Sequence, residues 1–301
     1  MSYHNPVLLK ESVDALDIKE DGIYVDVTFG GGGHSREILS RLGKDGKLFA
    51  FDQDPDAQEN KIDDERFVLI AENFRHIARF LKFYRVKKVD GILADLGVSS
   101  HQFDKAERGF STRFDGDLDM RMNQNSKISA REIINKYEEE KLAEILFLYG
   151  ELRNSRNIAK TIVEERENGE IITSFQLKET LKKYLPNAKE HKILAQIFQA
   201  IRIEVNEELD VLKEFLQQIP NLLKEEGRLS VISYHSLEDR LVKRFIRTGL
   251  FIGEPEKDVF GNVEVPLQKV GKLIVPNATE IKVNNRARSA KLRIATLKSK
   301  Q

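Results

Sequence analysis

Short apolar runs rich in β-branched and aromatic residues alternate with helix-like stretches over the first third of the chain. Residues 23–27, 47–51, 66–70 and 89–94 read as strands, too short for helices and apolar on both faces. Connections of this length favour parallel pairing with helices over both faces, and the right-handed crossover rule makes the result a doubly wound α/β sheet. From about residue 104 the strand signal stops. Apolar positions then recur every three or four residues, at Leu142, Ile145, Leu146, Tyr149 and Leu152 and on through Ile158, Ile162 and Val163. Thr173 to Gln176 reads as a capping box opening a helix that stops near Pro186. Two further helices are predicted, one through Ile193, Ile197, Ile201 and Val205 and one from Leu209 to Leu223. The strand pattern returns at residues 228–234 and, after a stretch punctuated by Gly, Pro and Asn, at 292–297. The expectation is an α/β domain in two parts, residues 1–103 and 196–301, interrupted by an inserted all-α domain over 104–195.

Composition narrows the class of protein. Of 301 residues, 40 % are hydrophobic and 33 % charged, as in an ordinary globular chain rather than a disordered or collagen-like one. The 49 basic side chains balance 49 acidic ones, so any nucleic-acid partner must be read from local clusters, not from net charge. The absence of cysteine excludes disulfides, thiolate metal sites and cysteine nucleophiles, and fits a reducing compartment. With no signal-peptide pattern and no run of 18 apolar residues, the expected location is cytoplasmic.

Candidate chemistry gathers at the predicted strand ends. Directly after the first strand come Thr28 and Phe29, then four glycines, Gly30 to Gly33, and then His34 and Ser35 at the start of a helix. Such a loop lets backbone approach a ligand closely and turns helix-terminal N–H groups toward it. Asp52 follows the second strand, where a carboxylate can accept both hydroxyls of a ribose. Order and spacing point to an adenosine-containing cofactor and leave two classes open, a dinucleotide and S-adenosylmethionine. Phe74, beyond the third strand, is placed either to stack on an adenine or to pack beside Ile77 and Leu81 after an Asn73 cap. Asp95 ends the fourth strand, where open α/β sheets bind their ligands.

Metal sites find no support. Asp115, Asp117 and Asp119 open like a calcium loop, but the sixth position is Met120 and the twelfth is Ser126. No two of the six histidines share a helix face with a carboxylate at ligand spacing. Ser236 to Asp239 reads as a capping box for a helix whose Arg240, Lys243, Arg244 and Arg247 share one face. Lys282, Arg286, Arg288, Lys291, Arg293, Lys298 and Lys300 follow with no acid among residues 281–301. Two such clusters in a neutral chain point to a polyanion partner.

Several segments are distinctive together: His4 to Leu9, Thr28 to Ser35, Asp90 to Ser100, Glu107 to Ser111, Leu118 to Met122, Phe198 to Arg202, Ser233 to Arg240 and Asn285 to Ser289. Over nearly its full length the chain resembles the ribosomal RNA small-subunit methyltransferase H family, bacterial enzymes that methylate the exocyclic N4 of a cytidine in the decoding region. The resemblance implies a Rossmann-like class I S-adenosylmethionine-dependent methyltransferase fold. It implies that Gly32, Gly33 and His34 line the methionine end of S-adenosylmethionine, that Asp52 holds the ribose, that Phe74 contacts the adenosine, and that Asp95 and Gln102 complete the site. The implied partner is small-subunit ribosomal RNA, naked or in an assembled subunit. Gly31 departs from the family, which often carries a bulkier residue there. The amino-methyltransferase signature of an acid or Asn, two prolines and an aromatic is missing after the fourth strand, where Asp95, Leu96, Gly97 and Val98 stand, so no general base is assigned. A methyltransferase acting on DNA or another amine, and a non-catalytic RNA-binding ribosome-assembly factor, are the competing readings. The sequence leaves open whether the chain forms a homodimer.

Overall fold

The computed structural model describes residues 6–256, 263 and 265–298. His4, Asn5 and Lys300, singled out above, lie outside the described residues. The chain divides into two compact units, one made of the residues up to Gly97 and from Leu209 onward, the other Val98–Glu208.

The first unit carries a seven-stranded sheet of β1 (Ile23–Asp26), β2 (Lys47–Phe51), β3 (Phe67–Ile70), β4 (Val89–Asp95), β5 (Leu223–Ser233), β6 (Leu267–Ile274) and β7 (Lys291–Leu297). Their order is β3-β2-β1-β4-β5-β7-β6, parallel from β3 to β5. β7 runs antiparallel to both β5 and β6. The reversal between β1 leading to β2 and β1 leading to β4 opens a crevice at the carboxyl ends of the strands, where ligands of such sheets bind.

Period-two alternation decides which helix each side chain meets. Tyr24, Leu48, Ala50 and Leu93 pack with α1 (Leu9–Asp14) and α2 (Gly33–Arg41) through Val13, Ile38 and Leu39. Val25, Phe49, Phe51 and Ile92 meet α3 (Ile77–Phe83), which follows the short turn at Phe74–His76, on the other face. Both faces are thereby covered, and burying a side chain such as Phe51 contributes about 2–3 kcal/mol.

The second unit consists mainly of α4 (Ser100–Asp104), α5 (Ala130–Lys136), α6 (Glu139–Leu148), α7 (Ser155–Arg166), α8 (Ser174–Thr180) and α9 (Glu190–Asn206). Its core joins Leu142, Ile145, Leu146, Ile158, Ile162, Ile197 and Ile201, positions the helical periodicity picks out, with Ile133 and Leu177. Its limits differ from the 104–195 stretch where strand signal is lacking. A boundary at 195 falls inside α9, whose Leu194, Ile197, Phe198 and Ile201 sit in one core. α10 (Glu208–Leu222) and α11 (Ser236–Thr248) return the chain to the sheet, where Leu212, Phe215, Leu216, Val242 and Phe245 join the core on the α3 face.

Two features depart from the expected sheet. β6 lies in the stretch read as irregular, because only Leu267 of its eight residues is fully buried and it carries no alternating pattern. Gly271, at φ +63, interrupts its register between Val270 and Ile274. The antiparallel sense of β7 follows from the chain turning back from β6 to its neighbour β7 through the short helix Ala278–Val283.

Candidate functional site

β1 ends on Asp26, fully buried, whose carboxylate accepts the Ser35 hydroxyl at 2.6 Å and the Thr28 backbone N–H at 3.1 Å. Burial raises the Asp26 carboxyl above its ordinary value. These bonds tie the strand end to the first turn of α2 and fold the glycine loop between them. Gly30 (φ +50) and Gly32 (φ +76) adopt left-handed backbone, and a Cβ at Gly32 would stand 2.9 Å from the Phe29 ring. Gly33 is needed for a different reason: a Cβ there would lie 2.2 Å from Pro6. α2 begins without a side-chain cap, so its first N–H groups are left to the loop and to a ligand.

Asp52 stands just past β2, facing this loop. One carboxylate oxygen accepts the Gly30 N–H at 2.7 Å and the other the Asp54 N–H at 2.8 Å. Desolvation pushes its pKa up to about 6 against these two bonds, which favour the charged form. The loop is held from two further sides, by Asn60 donating to the Gly30 carbonyl at 3.1 Å and Arg36 donating to the Gly31 carbonyl at 2.6 Å.

Asp95, at the end of β4, faces the same crevice. Its backbone N–H donates to the Thr28 hydroxyl at 2.7 Å, and its Oδ1 accepts the Tyr234 hydroxyl at 2.7 Å. Its Oδ2 lies 3.8 Å from His34 Nδ1. Burial pushes Asp95 up to about 6 and, acting on a base, lowers His34. His34 Nε2 sits 3.3 Å from the Val7 carbonyl, an acceptor only, so that nitrogen carries the proton. His34 Nδ1 thus faces the Asp95 carboxylate. Tyr234 is in turn fixed by its backbone N–H, which donates to Glu238 at 2.8 Å.

Gly32, Gly33, His34, Asp52 and Asp95 therefore share one crevice of the first unit. Phe74 begins the short turn after β3, behind an Asn73 cap as expected, and its ring meets Phe215 edge-on at 5.2 Å while remaining only partly buried. Gln102 belongs to the second unit, where it is buried and closes a capping box with Ser99. Sequence reasoning gave no role to Tyr234, Thr28, Arg36 or Asn60. Tyr234 follows the last residue of β5, so the rule that ligands gather at strand ends was the signal available for it.

The basic clusters are partly reassigned. The capping interaction at α11 comes from Glu238 accepting the Tyr234 and His235 N–H groups, so the cap is at His235 rather than Ser236. Arg240, Lys243 and Arg247 are exposed, whereas Arg244 donates to the Gly253 carbonyl. Lys291 and Arg293 are bound to Asp239, at 3.3 and 2.7 Å, and so are engaged within the protein. Arg286 and Arg288 remain exposed.

The site offers groups suited to S-adenosylmethionine: uncapped N–H groups for a carboxylate, the Asp52 carboxylate for a ribose diol, and an open glycine loop between them. The family model described as the MraW methylase family matches residues 1–298. A ribosomal RNA small subunit methyltransferase H from Christiangramia forsetii is 68 % identical over 295 residues, covering 98 % of each chain. Proteins of the same name from Flavobacterium johnsoniae, 67 % identical with 98 % of each chain covered, and Bacteroides fragilis, 56 % identical with 99 % of this chain and 98 % of the relative covered, agree with it. On the evidence of a match spanning all but its last three residues, this chain belongs to the MraW methylase family.

Proposed function

We propose that the protein transfers a methyl group from S-adenosylmethionine to the exocyclic N4 of a cytidine in the decoding region of small-subunit ribosomal RNA. The crevice that joins a glycine loop, Asp52 and Asp95 at adjacent strand ends carries this reading. The names of relatives at 55–68 % identity favour RNA over DNA as substrate, and catalysis over a purely structural role in ribosome assembly. In this reading Asp52 accepts the ribose hydroxyls, the first turn of α2 at Gly32 and Gly33 receives the methionine carboxylate, and His34 packs beside it. Phe74 lies against the adenosine, and Gln102 is the last residue of the set that the resemblance implies.

The bound cofactor supplies a methyl already activated by its sulfonium. The chain has to hold the cytosine amine in line with that methyl, an orientation effect worth up to about 7–11 kcal/mol. It also has to accept an N–H whose nitrogen lone pair is delocalised into the ring. Asp95 is the acceptor assigned here: Tyr234 occupies Oδ1 and fixes the carboxylate plane, leaving Oδ2 for a ligand N–H. Among the described residues no helix is long and apolar enough to cross a membrane.

Incubating the purified protein with methyl-labelled S-adenosylmethionine and small-subunit RNA, naked and assembled, tests the reading. N4-methylcytidine in the nuclease digest is the expected product. Label found only on single-stranded DNA of the same sequence, or on no nucleic acid, would overturn it.

A further inference from the structure

Between α11 and the β6–β7 pair lies a groove of about 570 Å³ that none of the proposed cofactor contacts uses. Its floor is apolar, formed by Ile246, Leu267, Val270, Leu273 and Ile294. Lys243, Arg247, Lys269, Lys272 and Lys298 line it together with Arg293, and among the described residues the lining includes no acid. Arg293 is paired with Asp239; in a chain with 49 basic and 49 acidic side chains, the other five cations, with no acid among the described lining residues, are a local excess that selects an anionic occupant. β6 presents Lys269 and Lys272 to solvent as a sheet edge, so neither lysine serves the core.

The groove also stands apart from the crevice. Lys291 pairs with Ser233, beside Tyr234, whereas Thr296 pairs with Arg228. Five residues of extended strand, about 17 Å, separate those levels. Leu267 and Lys298 lie at the far level, since Leu267 pairs with Leu297. An occupant reaching them extends well past any group held at Asp95.

We infer that this groove is a second subsite for the substrate RNA, holding a single-stranded stretch with its phosphates on Lys243, Arg247, Lys269, Lys272 and Lys298 and a base face against the apolar floor. The inference rests on the proposed RNA methyltransferase reading and deepens it. Single-stranded RNA fits better than a duplex because a paired base has no face to offer the floor, and better than an acidic peptide because the floor demands a flat apolar surface between the charges. Among the described residues no aromatic lines the groove, so the hold is sequence-tolerant and rests mainly on the phosphates.

Fluorescence anisotropy of a labelled oligouridine, titrated from low to moderate salt, tests this with the full chain. The double variant Lys269→Glu/Lys272→Glu should bind more weakly, with the logarithmic salt slope shallower by about 1.4, since each phosphate contact on a single strand contributes roughly 0.7. Leu273→Ser, at a partly exposed floor position, should weaken binding several-fold and leave the slope alone. Calorimetric affinity for S-adenosylmethionine should be unchanged in both, which shows that they remain folded. An unchanged slope in the double variant overturns the subsite, as does polyglutamate binding as tightly as oligouridine with the same sensitivity to the lysines. Methylation of small-subunit RNA by the wild type separates the two readings. If it occurs while the slope is unchanged, only the subsite falls; if it is absent while the slope shifts, the methyltransferase reading falls and an RNA site remains.

Discussion

Asp52 does two things at once, and substitutions separate them. Its oxygens already hold the Gly30 and Asp54 N–H groups, so removal by alanine would loosen the loop as well as the ribose contact. Asp52→Asn keeps the shape and one of the two backbone acceptors while it removes the charge. Loss of one charge-assisted hydrogen bond costs about 1.5–3 kcal/mol, and calorimetry should show S-adenosylmethionine binding weakened roughly ten- to hundredfold. An unchanged Kd in a folded variant would remove Asp52 from the site. The same substitution reads out linkage. Burial pushes Asp52 from 3.8 to about 6, so the folded state holds its proton more tightly than the unfolded chain, and ionising it costs stability. That cost is present in full above pH 6 and disappears below about 4. Thermal melts should therefore show the wild type gaining stability relative to Asp52→Asn as pH falls from 7 to 5. His34, lowered by burial, acts in the opposite sense but is common to both proteins. Tyr234→Phe tests Asp95. The lost hydroxyl favoured the charged carboxylate, so Asp95 should titrate higher still, and the acid limb of the pH–rate profile should move to higher pH. The groups acting on Asp95 besides Tyr234, namely His34, Asp26 and Glu238, stay in place, so an unmoved limb would show that Asp95 does not control the rate.

At the scale of elements, the β5–β7–α11 corner depends on an ion-pair network. Asp239 in the first turn of α11 receives Arg293 and Lys291 from β7, and both Asp239 and Arg293 are largely buried. Burial alone would raise the Asp239 carboxyl, but the hydrogen bonds and charge of Arg293 outweigh it and hold it below its usual value. Asp239→Ala leaves a buried guanidinium unpaired, and chemical denaturation should show a loss of about 3 kcal/mol. A loss within a few tenths of a kcal/mol would mean that the guanidinium finds water. Lys291 and Arg293 thereby leave the pool of charges open to a polyanion, whereas the exposed Lys269 and Lys272 of the edge strand enter it.

At the scale of the molecule, the complete sheet and the crevice residues Gly32, Gly33, His34, Asp52 and Asp95 belong to the unit interrupted by Val98–Glu208. Replacing residues 98–208 by a short flexible linker should therefore leave a cooperative melting transition and measurable S-adenosylmethionine binding. RNA methylation should be abolished, the outcome expected if the inserted unit takes part in recognising RNA. A shortened protein that still methylates small-subunit RNA at the wild-type rate would show the insert to be dispensable for recognition.

Local pattern was enough to place the first four strands, the glycine loop, Asp52 and Asp95. Strand periodicity and the need for glycine at positive φ act over a few residues, and strand ends in a parallel sheet necessarily share one edge. The helical insert was legible for the same reason, though its limits were not, since α9 continues past residue 195, where the insert was expected to end. Tertiary structure alone decided the rest. Tyr234 meets Asp95 across 139 residues, and Arg293 meets Asp239 across 54. Neither residue's neighbours in sequence differ from those of a solvated side chain, so no periodicity marks the partner. β6 is a strand because β7 offers it a hydrogen-bonding edge, not because its own exposed residues demand one. Which cations remain open to a ligand is likewise settled only when the sheet brings particular acids within reach of particular bases.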